Sequence, residues 1–212
     1  MAETTIRALK VRLAEIPLER PATVGGVRIL STMILLVDLE SSSGAAGRAY
    51  LHVFQPSRTR PFLDLFLSMS DWLAGHPATP ETLERTLRAR LEERLAKEPD
   101  LGAAVGLVDM ACWDLRAIET DLPLARLHTP ERIPVSAYLT SALGCADPDS
   151  TAEEAAQAAQ RGFGGYKIQL GHGTLEEDVA AVRAARTALP AGMALMVDYV
   201  QSLSREIGRA HV

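Results

Sequence analysis

The sequence predicts an antiparallel α+β domain followed by the start of a parallel α/β domain. Three observations carry that reading. The first half runs through three strand-like segments and then three helical ones, with no repeat between them. Beyond residue 133 the pattern changes to strands alternating with helices in units of about thirty residues, the mark of βα units and a parallel sheet. Ala194-Leu195-Met196-Val197 is fully apolar, which in a strand implies burial on both faces, as in parallel sheets.

The elements follow in order. Ile6 to Leu13 alternates apolar and basic residues and reads as a half-buried strand. Glu19 to Arg28, with Pro21, Gly25 and Gly26, reads as a flexible loop. Ile29 to Leu39 and Gly47 to Phe54 are further strands, joined through a Ser41-Ser42-Ser43-Gly44 turn into a meander. Pro61 to Leu73 is a helix with a wide apolar face. Thr79-Pro80 supplies an N-cap and a first-turn proline for the next helix. In that helix Leu83, Leu87, Leu91 and Leu95 form one stripe, read as core packing. Gly102 to Ile118 is apolar over most of its surface and is expected to be sandwiched.

A boundary is expected near Thr129-Pro130, giving domains 1–128 and 133–212. Pro134 to Leu139 reads as a strand, and Thr151-Ala152-Glu153-Glu154 as a capping box opening an alanine-rich helix. Tyr166 to Leu170 is the next strand, and in it Lys167 and Gln169 point to the same face. Thr174-Leu175-Glu176-Glu177 is a second capping box. Its helix is expected to pack through Val179, Val182 and Ala185 and to end near Pro190. The apolar strand then stops at Asp198. Parallel α/β folds place chemistry at the carboxyl ends of strands, where Lys167 and Asp198 fall.

Composition excludes several classes of function. The 212 residues are 47% hydrophobic and 23% charged, ordinary for a globular protein. A net charge of −5 gives no reason to expect nucleic acid or an anionic membrane as partner. No apolar run approaches the length that spans a bilayer, and the N-terminus has no signal core, so a cytoplasmic location is expected. Cys112 and Cys145 match no metal or redox spacing and read as buried thiols. Gly162-Phe163-Gly164-Gly165 precedes a strand and reads as a turn, not a phosphate cradle. His172 reads as a surface-loop histidine, with reach to a substrate as the alternative. His52, His76 and His128 are isolated.

Three stretches resemble the mandelate racemase and muconate lactonizing branch of the enolase superfamily. They are Gly106-Leu107-Val108-Asp109-Met110-Ala111-Cys112-Trp113-Asp114-Leu115 with Leu122-Pro123-Leu124, then Gly165-Tyr166-Lys167-Ile168-Gln169, then Met196-Val197-Asp198-Tyr199-Val200-Gln201-Ser202. The resemblance implies a capping domain over a modified, TIM-type (β/α) barrel, of which this chain would hold the first three βα units. It implies a loop at about Pro21 to Val27, with Thr23, Val24 and Val27, that closes over a small-molecule carboxylate. It also implies Mg²⁺ bound by three carboxylates, Asp198 the first, and a homo-oligomer when full length.

The chemistry requires such residues. A proton α to a carboxylate is too weakly acidic for an unassisted side chain, so a metal stabilises the enediolate while a base takes the proton. By the resemblance Lys167 steers charge at the substrate carboxylate, and the second lysine position of the strand is the base. Here that position is Gln169, which cannot take a proton at neutral pH. A one-base dehydration of a sugar acid therefore fits better than racemisation, while overall likeness favours a racemase. Val200 also departs from the racemase pattern, which has asparagine there. The alternative is a non-catalytic protein that keeps the capping domain for interaction.

A complete barrel takes roughly 250 residues, and the remaining metal carboxylates, a histidine and an aspartate are expected on strands beyond Val212. Ile207-Gly208-Arg209-Ala210-His211-Val212 resembles one reading frame of a common sequencing adapter. The chain is therefore read as a fragment, expected to be poorly soluble and inactive as written.

Overall fold

The computed structural model describes residues 4–24, 27–53, 56–141, 147–199 and 203. The chain divides into two compact units, Met1–Pro17 with Ser31–Arg132 and Leu18–Leu30 with Ile133–Val212.

Strands β1 (Ile6–Val24), β2 (Val27–Ser41) and β3 (Ala46–Val53) form a sheet in that order. The β2–β3 ladder is antiparallel and runs from Met33 opposite Val53 to Glu40 opposite Ala46. The loop expected over Glu19 to Arg28 is instead strand on both sides, to Val24 and from Val27. Pro21 does not prevent this because β1 is an edge strand, where a residue without an N–H is tolerated.

Helices α1 (Thr59–Leu73), α2 (Pro80–Leu95) and α3 (Pro99–Glu119) complete the first unit, with the short α4 (Leu124–His128) after them. Thr79 is the N-cap of α2 and Pro80 its first residue, and Leu83, Leu87 and Leu91 are buried along one stripe. Helix α3 packs on β3, α2 and α1, and buries Leu101, Val108, Ala111, Cys112 and Leu115. Gly47 permits its approach to β3: a Cβ there would lie 2.0 Å from the Ala111 carbonyl oxygen and 2.3 Å from the Leu115 nitrogen. The Arg48 N–H donates to the Asp114 carboxylate (2.8 Å), so the aspartate of the helix signature fastens α3 to the sheet. Ser41 and Ser43 hydroxyls donate to Glu119, the last residue of α3 (2.9 and 2.8 Å).

Cys112 is a free, buried thiol, pushed up to about 12 by burial and by the nearby charges of Asp109, Glu81 and Glu119. It is a core residue with no nucleophilic character. Cys145 lies outside the described residues. Among the described residues no helix is long and apolar enough to cross a membrane.

The second unit holds a parallel sheet, β4 (Tyr138–Thr140), β5 (Gly165–Gln169) and β6 (Ala194–Asp198), in that order. Helices α5 (Pro148–Gln160) and α6 (Leu175–Ala188) pack with β5 around Ala155, Ala158, Tyr166, Ile168, Ala181 and Ala185. The Tyr166 hydroxyl donates to Glu154 (3.2 Å).

Four sequence expectations are corrected here. The strand over Pro134 to Leu139 is reduced to Tyr138–Thr140, and Ile133 and Val135 are exposed. Thr151 does not cap α5: Asp147 does, accepting from the Ser150 N–H (2.9 Å), because an aspartate followed by proline makes a stronger helix start. Helix α6 buries Asp178, Ala181 and Ala185 while Val179 is exposed, since small alanines allow closer packing than a valine row. Strand β6 is not buried on both faces, and Val197 is 53% exposed, because among the described residues the helices of this unit pack mainly on β5 and leave β6, at one edge of the sheet, less covered.

Candidate active site

Alternation along β5 turns Tyr166 and Ile168 into the core and leaves Lys167 and Gln169 on the opposite face. The parallel register sets Lys167 beside Thr140 and Met196, and Gln169 beside Asp198. Neighbours in register share a face, so Lys167, Gln169 and Asp198 all belong to the side away from the helices.

Lys167 reaches forward along that face, its Nζ 3.0 Å from Asp198 Oδ2. The side chains keep 24% and 39% of their exposure, so a ligand can reach both. Lys167 Nζ also lies 5.8 Å from the centroid of the Tyr138 ring, in cation–π range. The hydrogen bond to Asp198 holds the Lys167 ammonium above its ordinary lysine range, against the opposing effect of desolvation. Lys167 is thus a firm cation at neutral pH.

Backbone hydrogen bonds fix the strand ends. The Ser141 N–H donates to the Lys167 carbonyl (2.8 Å), and the Gln169 N–H donates to Ser141 Oγ (3.0 Å). The Leu170 N–H donates to the Asp198 carbonyl (2.9 Å). The loop that follows turns at Gly171, whose φ of 83° favours glycine. Its N–H donates to both oxygens of the buried Asp178 carboxylate, each at 3.2 Å. The Thr174 capping box is present in full, with Glu177 bonding back to the Thr174 N–H (2.7 Å).

His172 sits in this tethered loop. It is part-buried, not the plain surface histidine expected, and its Nε2 is buried without a hydrogen-bond partner among the described residues. Gln169 Oε1 is in the same condition. The side chains of Thr23, Val24 and Val27 lie outside the described residues, as does Val200. Sequence reading missed Ser141, Asp178 and Tyr138. Asp178 had one available signal, a carboxylate in the first turn of a helix, but nothing near Ser141 marks it as a bridge between strands.

Among the described residues no group of three or more His, Cys, Asp or Glu side chains is placed to hold a metal. Among the described residues Asp198 is the carboxylate paired with Lys167, and it offers a hard oxygen donor there.

A family model described as enolase C-terminal domain-like matches residues 150–210, the stretch that carries β5, β6 and the lysine–aspartate pair. The D-galactarolactone cycloisomerase of Agrobacterium fabrum is 28% identical over 198 residues, 91% of this chain and 51% of that protein. Other curated relatives are dehydratases, a racemase and an epimerase. The crystal structure of an enolase from alpha proteobacterium bal199 with bound magnesium superposes with a TM-score of 0.85 at 30% identity, over 98% of this chain and 58% of that one. An enolase from Bradyrhizobium complexed with magnesium and mandelic acid gives 0.84 at 28% identity, over 100% and 59%. The chain spans about half the length of the curated relatives it matches over most of its own length.

An α+β unit followed by parallel βα units, with a lysine and an aspartate at adjacent strand ends, has the arrangement in which α/β folds place their chemistry. The chain is similar to enzymes of the enolase superfamily, among them mandelate racemase-like and dehydratase proteins, over about half of their length.

Proposed function

We propose that this chain carries the lysine–aspartate side of a Mg²⁺-dependent site that removes the proton α to the carboxylate of a 2-hydroxy or sugar acid. On this reading residues 1–128 are the capping domain and residues 133–212 open a modified (β/α) barrel with β4, β5 and β6 as its first strands. The observation that carries it is Lys167 Nζ at 3.0 Å from Asp198 Oδ2 across the carboxyl ends of two parallel strands. The partners on this reading are a small carboxylate substrate and further copies of the chain.

Magnesium takes oxygen ligands and is commonly held by one or two carboxylates completed by water and substrate. Asp198 fits as one such ligand; further ligands would come from outside the described residues. When bound, the ion would neutralise the charge that gathers on the substrate carboxylate as the proton leaves. The chain's own residues do the rest of what can be assigned. Lys167, held cationic, pairs with the substrate carboxylate and orients it. Gln169 cannot accept a proton, so this face of the substrate is not attacked by a base from the second strand position. That favours a one-base elimination over a two-base racemisation. The second reading, a non-catalytic protein using the first unit for interaction, is favoured by one fact: the described residues bring a single carboxylate to Lys167.

The test compares two products of the source locus, the 212-residue chain and whatever the frame encodes past the codon for Glu206. Loss of the α-proton signal in D₂O is followed by NMR, with Mg²⁺ or with chelator. The expected result is Mg²⁺-dependent exchange in the longer product, abolished by Asp198→Asn and Lys167→Met, and none in the 212-residue chain. Exchange that survives chelation or Asp198→Asn defeats the metal role, and a genomic stop after Val212 defeats the catalytic reading.

A further inference from the structure

A groove of about 470 Å³ runs along β1 beside α1, wholly within the first unit. Val11 and the exposed Leu67 line it over the buried Phe66, and Lys10 and Arg12 stand on the other face of the strand. Charge does not balance there. Arg7 joins Lys10 on Glu40, and Arg48 joins Arg12 on Asp38, so among the described residues four cations share two carboxylates. The cations are exposed and the carboxylates largely covered, so solvent meets the positive ends, in a chain whose net charge is −5. The outer edge of β1 is met at its start. The Gly75 N–H donates to the Ile6 carbonyl (2.8 Å), and the Ser70 hydroxyl to the Leu9 carbonyl (3.1 Å). Backbone groups of an edge strand point outward at every second residue, so Val11 and Leu13 come next. Among the described residues nothing bonds to that edge past Leu9.

We propose that this groove receives an extended acidic segment of a partner protein, paired with β1 from Leu9 to Leu13. An unpaired strand edge is a template for another strand, with main-chain bonds giving affinity and alternate side chains giving specificity. Successive side chains of the incoming strand turn to opposite faces. A segment that alternates acidic and apolar residues therefore sets its carboxylates on Lys10 and Arg12 and its apolar side chains on Leu67 and Phe66. The surplus positive charge rejects a basic segment, since like charges in contact are unfavourable. A wholly apolar segment would strip water from Lys10 and Arg12 without replacing it. A polyanion without apolar groups would leave Leu67 exposed and the strand edge unpaired. The surface uses neither Lys167 nor Asp198, so it is independent of the proton-abstraction reading.

The test measures binding of two synthetic hexapeptides to the immobilised 212-residue chain by surface plasmon resonance. One alternates glutamate and leucine; the other has the same composition with the three glutamates and the three leucines in separate blocks. The alternating peptide is expected to bind about ten-fold more tightly, because only its pattern serves both faces of β1. The double variant Lys10→Gln with Arg12→Gln, which alters two exposed side chains, is expected to weaken it about ten-fold. Val11→Pro removes one outward N–H at an edge position where proline is tolerated, and is expected to weaken both charge forms of the peptide, glutamate and glutamine, alike. Should Val11→Pro unfold the chain, the Lys10 and Arg12 variant decides alone. Equal binding of the two peptides, affinity unchanged in that double variant, or no binding up to millimolar peptide would each overturn the inference. So would heparin displacing nothing but itself binding more tightly than the peptide, which marks a general polyanion surface. A dimer in sedimentation that Arg12→Glu dissociates would give the groove to a second copy of the chain and overturn the assignment to a partner protein.

Discussion

Gly47→Ala is the substitution whose cost follows most directly from the geometry. The added Cβ would sit 2.0 Å from the Ala111 carbonyl oxygen, 2.3 Å from the Leu115 nitrogen and 2.6 Å from the Leu115 Cβ. Carbon–oxygen contacts of the closest ordinary kind are about 3.3 Å, so α3 would have to withdraw from β3 by more than about 1 Å. Two of the three opposing atoms are helix backbone, which moves only with the whole helix. Overpacking of a core costs about 1–3 kcal/mol, and withdrawal also stretches the bond from the Arg48 N–H to Asp114, worth about 1.5–3 kcal/mol when the acceptor is charged. A loss of about 3 kcal/mol or more is expected. Trp72 and Trp113, the only tryptophans in the sequence, both lie in the first unit, so their fluorescence in urea reports its unfolding. With a slope of about 2 kcal/mol per molar the midpoint should fall by about 1.5 M. Gly44→Ala is the comparison, since its φ of 90° strains an alanine while leaving its Cβ in open space, for a cost of about 1 kcal/mol. A Gly47→Ala midpoint close to the parent, or a smaller loss than Gly44→Ala shows, would refute the close-approach argument.

Three other perturbations test the second unit. Asp178→Ala removes the acceptor of the Gly171 N–H and should cost about 1–3 kcal/mol in thermal or denaturant unfolding, with Asp178→Asn recovering part of it; an alanine variant as stable as the parent would show that the loop holds itself. Val197→Lys places a charge on the exposed edge strand and should raise the soluble fraction and lower light scattering; unchanged aggregation would put the sticky surface elsewhere. Because the Lys167 pKa is raised in the folded state by Asp198, the stability it contributes is present throughout neutral pH and is lost as pH climbs through the raised lysine value. The stability gap between the parent and Asp198→Asn should therefore close in strongly alkaline buffer, and a gap independent of pH there would remove the pair from the account.

What was legible in the sequence was local. The Thr174 capping box, the leucine stripe of α2 and the shared face of Lys167 and Gln169 each depend on spacing within a few residues, and each is present. Asp198 was legible because an apolar run stops at it. Most of the misreadings concern partners distant in sequence. Pro21 looked like a loop because its place on an edge strand could not be seen. Val197 looked buried because an apolar strand says nothing about whether a neighbour covers it. Thr151 looked like a cap because the motif is common, and Asp147-Pro148 four residues earlier prevailed. Gln169 was recognised as a missing base, but its unmet Oε1 depends on what surrounds it, which spacing does not encode.

The two units hold their shape by different means, and this bears on where function can reside. The first buries an extended cluster running from Ile6 and Leu35 through Phe66 and Leu83 to Leu115, so its helices are placed by bulk. The second, among the described residues, buries a smaller cluster in which four alanines surround Tyr166, Ile168, Leu170 and Leu189, and alanine contributes little apolar area. Its strand ends are set instead by directional bonds: Ser141 to Lys167, Gln169 to Ser141, Leu170 to Asp198 and Gly171 to Asp178. Directional bonds constrain orientation more tightly than apolar contact does, because a hydrogen bond weakens steeply off its axis. A site that must hold a lysine, a glutamine and an aspartate in fixed relation is better served by such a frame than by a larger core. The same economy leaves the unit with little apolar area to spare, so removing one of those bonds should disturb the site before it unfolds the chain.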